Sequence, residues 1–390
     1  MLTRLKVSNF RSLGDISLTL NKQNIIVGPN GAGKSNLIDS LNFLKDAVSD
    51  DLDAAVTRRH GAETVRRWSK YRPFNVNFEL SFESSDGSGT FQLTLTSSGG
   101  AFSIHEEKGT WNITRRLTPR RGAFGGYHRY SNGRTSFYGP AFSDADRRDI
   151  RMPSGELVLT QVASGVFHPL FRQFRGLAEQ VSAIATYSIY PNTMRQPQPI
   201  AKEDVLLNDG SNLATILKKL NTNQRRLKER LLDSLKVVMP SLVDILVKSA
   251  GGYYIPVFRI KEPNGEVHEF NMAQLSDGTL RMLGLLTAFY QVKAPRRIAL
   301  EEPEQMIHPG LLPLLQEAAA DYASIRTDNQ FFITTHSPTF LDQFEAEDII
   351  WVKYIDGVTK ADKISQSKLD LIKEELFSPG EILVSEGLGL

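Results

Sequence analysis

The chain has 390 residues, 46 of them basic and 44 acidic, and its formal net charge is +2. Apolar residues make up 41% of the chain, which is typical of a folded protein rather than a disordered one. The absence of cysteine excludes a disulfide scaffold, a thiolate zinc site and a cysteine nucleophile. No apolar run reaches the roughly 18 residues that span a bilayer, and the N-terminus lacks the apolar core of a signal peptide. We therefore expect a cytoplasmic protein.

The first part of the chain predicts strands, one helix and an antiparallel sheet. Three short segments have the length and polarity of strands: residues 2–10, 14–20 and 23–28. A glycine-rich turn follows them, and residues 34–48 then have the apolar spacing of a helix. From residue 74 to about 142, alternating stretches are broken by Ser, Gly and Asp turns, which indicates an antiparallel sheet. We assign residues 1–73 to the first half of an α/β unit and residues 74–150 to an antiparallel β lobe.

Residues 151–270 predict a mainly helical lobe. Residues 155–182 have a helical pattern, and two apolar stripes at helical spacing follow: Leu213, Ile216, Leu217 and Leu220, then Leu227, Leu231, Leu235 and Val238. Residues 252–259 and 267–270 predict a hairpin around an intervening Pro-Asn-Gly turn.

From residue 275 the pattern alternates between helices and strands, which is typical of a parallel sheet covered by helices. The strands of this part are predicted at residues 298–300, 331–335 and 349–352. Residues 271–390 therefore form the second half of the α/β unit. The predicted fold class is α/β with a split parallel sheet that begins near the N-terminus, plus the antiparallel β lobe and the helical lobe.

Residues 28–35, with the sequence GPNGAGKS, fit the phosphate-binding pattern G-x-x-x-x-G-K-[ST] between a predicted strand and a predicted helix. Glycines let the backbone wrap a polyphosphate, and the loop amides and the helix N-terminus favour its negative charge. Lys34 is expected to neutralise the β- and γ-phosphates, and Ser35 to reach Mg²⁺. The alternative is a plain strand–turn–helix connection. The predicted nucleotide-binding residues of this segment are Asn30, Gly31, Ala32, Gly33, Lys34, Ser35 and Asn36.

The strand at residues 298–300 leads into carboxylates. Glu301 and Glu302 stand where a parallel strand ends, which is the edge at which such sheets bind ligands. One carboxylate can bind Mg²⁺, and the next can polarise an attacking water. The alternative is a solvated acidic turn.

Two further polar segments accompany these motifs. His336 follows the strand at residues 331–335 and could bond a γ-phosphate, although a lone histidine there is also a common loop-capping residue. Ser276 and Asp277 precede an almost wholly apolar helix, where either side chain can serve as an N-cap. With Gly278 beside them, this helix N-terminus is also a candidate anion site.

Taken together, GPNGAGKS, LSDGT, IALEEPE and TTHSP resemble the Walker A, signature, Walker B and switch-histidine motifs of ABC-type ATPases of the SMC, RecF and OLD kind. NFRSL near the N-terminus and EEPEQMIHP strengthen the resemblance to RecF- and OLD-like bacterial ATPases. The resemblance implies that Glu302 is the catalytic base and His336 the switch residue. It also implies that Ser276 and Gly278 contact the γ-phosphate of ATP bound to a second subunit.

The resemblance further implies an ATPase head that uses ATP and Mg²⁺, with Ser35, Glu301 and Gln161 as metal-binding residues. Gln161 falls about where the Q-loop of the family would lie. Two positions depart from the family pattern. Glu301 stands where Walker B usually has Asp, and Asp277 stands where many signature motifs have Gly.

Some parts of related proteins have no counterpart in this sequence. SMC proteins carry long coiled coils between the two halves of the head, whereas here only two short helical stripes lie between them. OLD nucleases continue into a metal-binding nuclease domain, whereas here residues 381–387 only faintly resemble its first strand, and we interpret them as a tail. We therefore expect no nuclease domain in this chain.

Residues 111–143 contain six arginines, one histidine and no acidic residue. Interleaved aromatic residues could stack on bases while the arginines bind phosphates, so DNA is a candidate partner. The alternative is a solvated edge of the β lobe or a protein-binding surface. A second basic group lies after the phosphate-loop helix, and one of its members could reach the nucleotide: Arg58, Arg59, Arg66 and Arg67.

These patterns predict an ATPase that forms an ATP-sandwiched dimer or a larger even assembly. It would control DNA or an effector carried by a separate chain, such as a nuclease subunit, in anti-phage defence. One alternative is a DNA-repair loader of the RecF type. Another is a scaffold with little turnover that sequesters a toxic effector. No membrane partner is expected.

Overall fold

The computed structural model describes residues 1–70, 73–114, 124–142, 149–153, 155–165 and 169–387. Its strands in chain order are β1 (Leu2–Ser8), β2 (Asp15–Thr19), β3 (Gln23–Val27), β4 (Val76–Glu83), β5 (Gly87–Ser98), β6 (Ala101–Ile113), β7 (Phe124–Tyr130), β8 (Arg134–Tyr138), β9 (Ile150–Arg151), β10 (Ile184–Tyr187), β11 (Gln198–Pro199), β12 (Leu242–Ala250), β13 (Tyr253–Lys261), β14 (Val267–Asn271), β15 (Arg297–Glu301), β16 (Gln330–Thr335), β17 (Ile349–Ile355) and β18 (Val358–Lys363).

The α-helices are α1 (Lys34–Ser49), α2 (Leu52–Thr57), α3 (Ala62–Val65), α4 (Val158–Ala163), α5 (Arg175–Ser182), α6 (Pro191–Arg195), α7 (Leu213–Asn223), α8 (Arg225–Val238), α9 (Asp277–Tyr290), α10 (Leu312–Ile325), α11 (Pro338–Leu341), α12 (Gln366–Lys373) and α13 (Pro379–Gly387). Short 3-10 helices cover Pro169–Phe174, Met272–Gln274, Pro309–Leu311 and Ala346–Asp348. Within the described ranges, no helix is long and apolar enough to cross a membrane.

The chain folds into two compact units, each built from two separate stretches of sequence. The first unit contains Met1–Ile184 and Glu347–Leu369, and the second contains Ala185–Ala346 and Asp370–Leu390. The four-segment division predicted from sequence stays a prediction.

An antiparallel sheet forms the largest element of the first unit. Its strand order is β2-β1-β4-β5-β6-β7-β8-β9. Along β4, buried and half-exposed residues alternate, as expected for a strand with one face on a core. Phe10, Phe43 of α1 and Phe78 of β4 pack against one another in that core with ring centroids 5.5 to 5.7 Å apart. The predicted antiparallel lobe is confirmed.

The first two strands differ from the prediction, which placed the start of the parallel sheet at the N-terminus. β1 pairs antiparallel with both β2 and β4, so both N-terminal strands belong to the antiparallel sheet. Only β3 enters a parallel ladder, where Ile25 pairs with Ile349 and Val27 with Trp351 of β17. The physical reason is burial. β2 alternates exposed and buried residues, whereas the last four residues of β3 are all buried.

β17 continues into an antiparallel hairpin with β18. The hairpin turn is Asp356-Gly357, with φ of 52° and 79°. Positive φ at both central residues of a two-residue turn is the geometry that favours an Asp-Gly pair. β18 was not predicted from the sequence, although this dipeptide is a strong hairpin signal.

The second unit contains the remaining parallel strands. β15 and β16 pair in parallel, with Glu301 opposite Thr334, and every residue of β16 is buried. Helix α9 has eleven buried residues, which accounts for its nearly continuous apolar sequence. The predicted α/β fold with parallel strands is confirmed.

A smaller antiparallel sheet completes the second unit. Its strand order is β11-β13-β12. β11 pairs with the N-terminal end of β13, and β14 pairs with residues 257–261 of β13 through the predicted hairpin. The two predicted apolar stripes form α7 and α8. Residues 381–387, interpreted as a tail that faintly resembles a strand, lie instead in α13. The amide of Gly380 in that helix donates to the Asp342 carboxylate at 2.7 Å.

Candidate functional site

The glycine-rich loop joins β3 to α1 in the first unit, and two of its glycines are required by close contacts. A Cβ atom on Gly28 would lie 2.1 Å from the carbonyl oxygen of Val352. A Cβ atom on Gly33, whose φ is 103°, would lie 2.2 Å from Oγ1 of Thr359. Any larger residue would therefore displace the loop from the β17–β18 hairpin, which explains the glycines independently of a ligand.

Lys34 is the first residue of α1 and is only 5% exposed. Its Nζ donates to the carbonyls of Gly28 at 2.9 Å and Pro29 at 3.1 Å, so the side chain lies across its own loop. Ser35 is exposed at the same helix end. A buried cation beside an exposed hydroxyl at a helix N-terminus is a suitable arrangement for a phosphate and its metal ion.

The other predicted loop residues differ in exposure. Asn30 and Gly31 are exposed, and Ala32 is buried. The Ala32 amide donates to the Pro29 carbonyl at 3.2 Å, so this amide closes a turn within the loop. Nδ2 of Asn36 donates to Oγ of Ser12 at 2.7 Å. Asn36 therefore has a structural contact, and its predicted contact with the nucleotide stays a prediction.

Two hydroxyl groups that were not predicted from the sequence, those of Thr359 and Ser12, form hydrogen bonds that support the loop. Oγ1 of Thr359 donates to the Ala32 carbonyl at 2.8 Å and lies 2.7 Å from Oγ of Ser12. The amide of Thr359 also donates to the Ser12 carbonyl at 2.7 Å. Ser12 lies in the NFRSL segment. That motif was the only feature of the sequence that could have indicated a role for Ser12 near the loop.

The predicted arginines near α1 form ion pairs within the first unit. Arg59 is 7% exposed and binds Asp39 at 2.7 Å and Asp46 at 2.9 Å. Its Asp39 partner also pairs with Arg11 at 3.0 Å. Arg58 pairs with Asp50 at 2.6 Å. These contacts assign Arg58 and Arg59 to the support of α1.

The remaining two arginines of that group also have partners. Arg66 pairs with Glu63, and Nε of Arg67 donates to Oδ1 of Asn9 at 3.1 Å. The Arg67 guanidinium also lies 4.4 Å from the centroid of the Phe74 ring. A nucleotide contact by any member of the group stays a prediction.

Gln161 lies on α4, and this helix is held by a buried carboxylate. The Glu107 side chain is fully buried and accepts the amides of Val158 at 2.8 Å and Leu159 at 3.3 Å. It also accepts the Tyr127 hydroxyl at 2.8 Å. Since α4 has no local side-chain cap, Glu107 of β6 caps it from the antiparallel sheet.

Helix α4 is also bonded to the phosphate-loop helix. Oγ1 of Thr160 donates to the Ala47 carbonyl of α1 at 2.8 Å. Burial raises the pKa of Glu107, because the ionised form loses its water. Nε2 of Gln161 donates to Glu156, and its predicted metal contact stays a prediction.

In the second unit, Glu301 ends β15 and Glu302 follows it. Oγ of Ser188 donates to Oε2 of Glu301 at 3.1 Å, a partner that the sequence did not indicate. The backbone φ of Glu302 is 43°, a conformation that costs energy for a residue with a side chain. Its amide donates to the Thr334 carbonyl at 3.0 Å, and its carbonyl accepts Nη2 of Arg281 at 2.9 Å.

His336 and Glu302 lie together in the second unit. Nδ1 of His336 lies 3.5 Å from Oε1 of Glu302. Glu304 was not selected from sequence, yet its Oε1 accepts the Thr335 hydroxyl at 2.6 Å and the His336 amide at 3.3 Å. Glu304 therefore positions the backbone that carries His336.

Ser276 caps α9, as the structural alternative predicted. Its Oγ accepts the Thr279 amide at 3.2 Å, while the residue stays exposed. Asp277 pairs with Arg195 at 2.6 Å. A Cβ atom on Gly278 would lie 2.9 Å from the Met306 carbonyl, so the glycine allows close packing there.

Arg281 links this same helix to Glu302. It is 2% exposed, and its Nη1 donates to the Ile189 carbonyl at 2.6 Å while Nη2 donates to that of Glu302. Burial lowers the pKa of its guanidinium. Through these two hydrogen bonds, Arg281 fixes the position of α9 relative to Glu302, the residue with the strained backbone.

The arginine-rich stretch is only partly described, since Arg115, Arg116, Arg120 and Arg121 lie outside the described residues. Arg129 was counted as a phosphate-binding candidate, but it is 1% exposed and its Nη2 donates to the Pro153 carbonyl at 3.0 Å. This corrects the prediction for Arg129, because a core side chain cannot reach DNA. Arg134 pairs with Asp149 at 2.6 Å, and His128 contacts Glu106 at 2.7 Å.

The oxygen donors near the glycine-rich loop suit Mg²⁺ that enters with a nucleotide. Among the described residues, no group of three His, Cys, Asp or Glu side chains could hold a metal by itself. Mg²⁺ commonly keeps waters and binds substrate phosphates with one or two protein oxygens. The exposed Ser35 hydroxyl of the first unit is such an oxygen.

A family profile described as "AAA domain, putative AbiEii toxin, Type IV TA system" matches residues 24–342. The chain belongs to this family. The match spans both predicted halves of the head, including the glycine-rich loop and the carboxylate strand. The chain is accordingly an ATPase with relatives of the OLD and RecF kind, as the motifs predicted.

Relatives and solved structures agree with this placement. The OLD nuclease of Thermus scotoductus is 24% identical over 426 aligned positions, which cover 100% of this chain and 72% of that protein. The RecF DNA replication and repair protein of Rhizobium meliloti is 46% identical over 44 residues, 11% of this chain and 12% of that protein.

The structural likeness supports the fold. An SMC head bound to the C-terminal winged-helix domain of ScpA matches with a TM-score of 0.53 and 15% identity, covering 94% of this chain and 98% of that one. An SMC head with an extended coiled coil from Pyrococcus furiosus matches with a TM-score of 0.51 and 14% identity, covering 96% and 99%. Both confirm an SMC-head-like α/β fold.

Proposed function

We propose that the chain binds ATP with Mg²⁺ at residues 28–36 and hydrolyses it with Glu302 as the general base. The geometry of Glu302 carries this proposal. A strained backbone fixed by hydrogen bonds on both sides places one carboxylate in a defined position beside His336. Strain of this kind persists where the surrounding structure enforces it, and it is frequent at active sites.

In this mechanism each of the other predicted site residues has one role. Lys34 leaves the Gly28 and Pro29 carbonyls to neutralise the β- and γ-phosphates. Ser35, Glu301 and Gln161 would hold Mg²⁺, which would neutralise negative charge on the phosphates. Glu302 accepts a proton from the attacking water, and His336 donates a hydrogen bond to the γ-phosphate.

We further propose that hydrolysis needs two chains. Ser276 and Gly278 contact the γ-phosphate of ATP bound to the partner chain, so the assembly is an ATP-sandwiched dimer or a larger even oligomer. The exposed Ser276 hydroxyl at the N-terminus of the fourteen-residue α9 supports this role. Asp277, next to Ser276, is held by an ion pair with Arg195.

In the cell, this ATPase would control DNA or a separate effector chain in anti-phage defence. The family description names a toxin, and one relative is an OLD nuclease. The RecF likeness favours a second candidate, a DNA-repair loader, and DNA-stimulated hydrolysis would distinguish it. A scaffold with little turnover that sequesters a toxic effector would instead co-purify stably with that effector. The cytoplasmic location stays a prediction.

Paired variants test the nucleotide site. Lys34→Ala should abolish binding of a fluorescent ATP analogue, because the loop amides alone do not offset the triphosphate charge. Glu302→Gln should bind the analogue normally and lose turnover by about 10²–10⁴-fold. The exposed Lys261→Ala and Glu345→Gln serve as matched controls. Wild-type binding by Lys34→Ala, or wild-type turnover by Glu302→Gln, would refute the assignment.

A further inference from the structure

The β17–β18 hairpin places positive charges face to face. In its register, Lys353 of β17 lies directly opposite Lys360 of β18. Like charges directly opposite each other destabilise an antiparallel pair. The Asp356-Gly357 turn already specifies the hairpin. The lysine pair therefore does not contribute to the stability of the hairpin.

These lysines line a cavity together with two others from the same unit. The cavity has a volume of about 200 Å³. We call it the lysine pocket, and its charged lining consists of Lys353, Lys360, Lys363, Lys368 and one acid, Asp362. Nζ of Lys363 donates to the Glu347 carbonyl at 2.9 Å, which leaves three lysines against one acid. This is still a local excess of positive charge in a chain whose formal net charge is only +2.

The indole of Trp351 forms one wall of the lysine pocket. Nζ of Lys368 lies 4.8 Å from the indole ring centroid, and Nζ of Lys353 lies 5.7 Å from it. Both ammonium groups are thus directed to one small region. Burial and the neighbouring Lys353 both lower the pKa of Lys368. A bound anion would oppose both effects by favouring the charged forms.

We propose that the lysine pocket binds a phosphate group as a second anion site, separate from the nucleotide site. Ammonium groups bind phosphate through charge-assisted hydrogen bonds. Its volume is smaller than the 300–1,000 Å³ typical of pockets for whole small molecules. The pocket therefore takes one or two phosphates, either from a free polyphosphate or from a nucleic-acid backbone.

The pocket and the phosphate loop share a strand but use different faces of it. Lys360 is exposed toward the pocket side, whereas the preceding Thr359 is buried and bonds the loop carbonyl of Ala32. Successive side chains of a strand point to opposite faces. An anion in the pocket therefore does not compete for the atoms that support the nucleotide loop.

The test uses full-length Lys34→Ala protein, so that the nucleotide site does not contribute to binding. Isothermal titration calorimetry with pyrophosphate, and separately with a short single-stranded DNA, is compared before and after adding Lys353→Gln and Lys368→Gln. Loss of two charge-assisted contacts should weaken binding by about tenfold or more. Lys261→Gln, at an exposed lysine on β13, is the matched control. Thermal denaturation verifies folding, and Lys360→Gln at an exposed position provides a second variant.

The two ligands separate the sources of the phosphate. Binding of pyrophosphate that the double change weakens identifies a free polyphosphate as the ligand. Binding of DNA alone, weakened in the same way, identifies the nucleic-acid backbone. If neither ligand binds, or if the double variant binds both as well as the control does, the proposal is wrong and the lysines only cover Trp351.

Discussion

At the scale of single residues, the phosphate loop depends on a hydroxyl far away in sequence. Oγ1 of Thr359 bonds both the Ala32 carbonyl and the Ser12 hydroxyl, and Thr359 is fully buried. A buried polar group that loses its partner costs more than the bond itself contributes. The shape of the loop therefore depends on a residue 327 positions away from Ala32.

Thr359→Val tests this dependence, because the change keeps the side-chain shape and removes only the hydroxyl. It should weaken ATP binding by about tenfold, since the Ala32 carbonyl and the Ser12 hydroxyl each lose a buried partner. Fluorescent-nucleotide titration measures the effect, with Thr339→Val at an exposed position as control. Unchanged affinity would show that the glycines hold the loop without this support.

At the scale of elements, α4 is fixed by residues outside its own segment. Glu107 of the antiparallel sheet caps its N-terminus, and Thr160 bonds it to α1. A helix of six residues is marginal by itself in water, so these contacts decide its position. They also connect the antiparallel sheet with the helix that begins at Lys34.

The Glu107 cap predicts a pH dependence of stability. Burial raises the pKa of Glu107 above its ordinary value of 4.5, so the folded state holds the proton more tightly than the unfolded chain. This contribution is complete at low pH and is lost as pH rises from 4.5 through the raised pKa. Urea denaturation over this range should show that loss in the wild type.

Glu107→Gln should remove that pH dependence, because an amide does not titrate there. Glu83→Gln, at an exposed position on β4, is the control. An identical pH profile in wild type and Glu107→Gln would exclude this role.

At the scale of the whole molecule, each compact unit is assembled from distant parts of the chain. The first unit recruits Glu347–Leu369, which supplies β17 and β18 behind the phosphate loop. The second unit contains Ser276, Glu302 and His336. Lys34 and Ser276 can thus be altered independently, which suits a test of the proposed two-chain mechanism.

Mixing Lys34→Ala with Ser276→Arg provides that test. Neither variant alone should hydrolyse ATP: the first lacks the phosphate-binding lysine, and the second has bulk at the start of α9 that blocks closure. In a mixed dimer, the phosphate loop of the Ser276→Arg chain meets the intact signature of the other chain, which leaves one competent site of two. Phosphate-release assays should recover activity only on mixing.

Light scattering adds a second measurement to the same experiment. Glu302→Gln should form an ATP-stabilised assembly, and Ser276→Arg should bind ATP as a smaller species. Ser276→Arg also removes a helix N-cap, which costs about 1 kcal/mol, so circular dichroism verifies its folding. Full ATPase activity of Ser276→Arg by itself would contradict the two-chain mechanism.

The sequence alone determined the features that depend on local pattern. The glycine-rich loop, the carboxylates after β15, the histidine after β16 and the helical stripes of α7 and α8 all follow from short-range spacing. Side-chain periodicity and turn chemistry are local properties, so a single sequence displays them. Motif order was sufficient for the ATPase class, because each motif carries its own structural context.

Only the tertiary structure decided which distant residues act together. Pairing of β1 with β4, burial of Arg129, capping of α4 by Glu107 and support of the loop by Thr359 each join segments that are far apart in sequence. No periodicity shows such pairs, because burial and hydrogen bonding depend on which surfaces meet. An arginine predicted to face DNA therefore lies in a core, and a threonine in an unpredicted strand supports the phosphate loop.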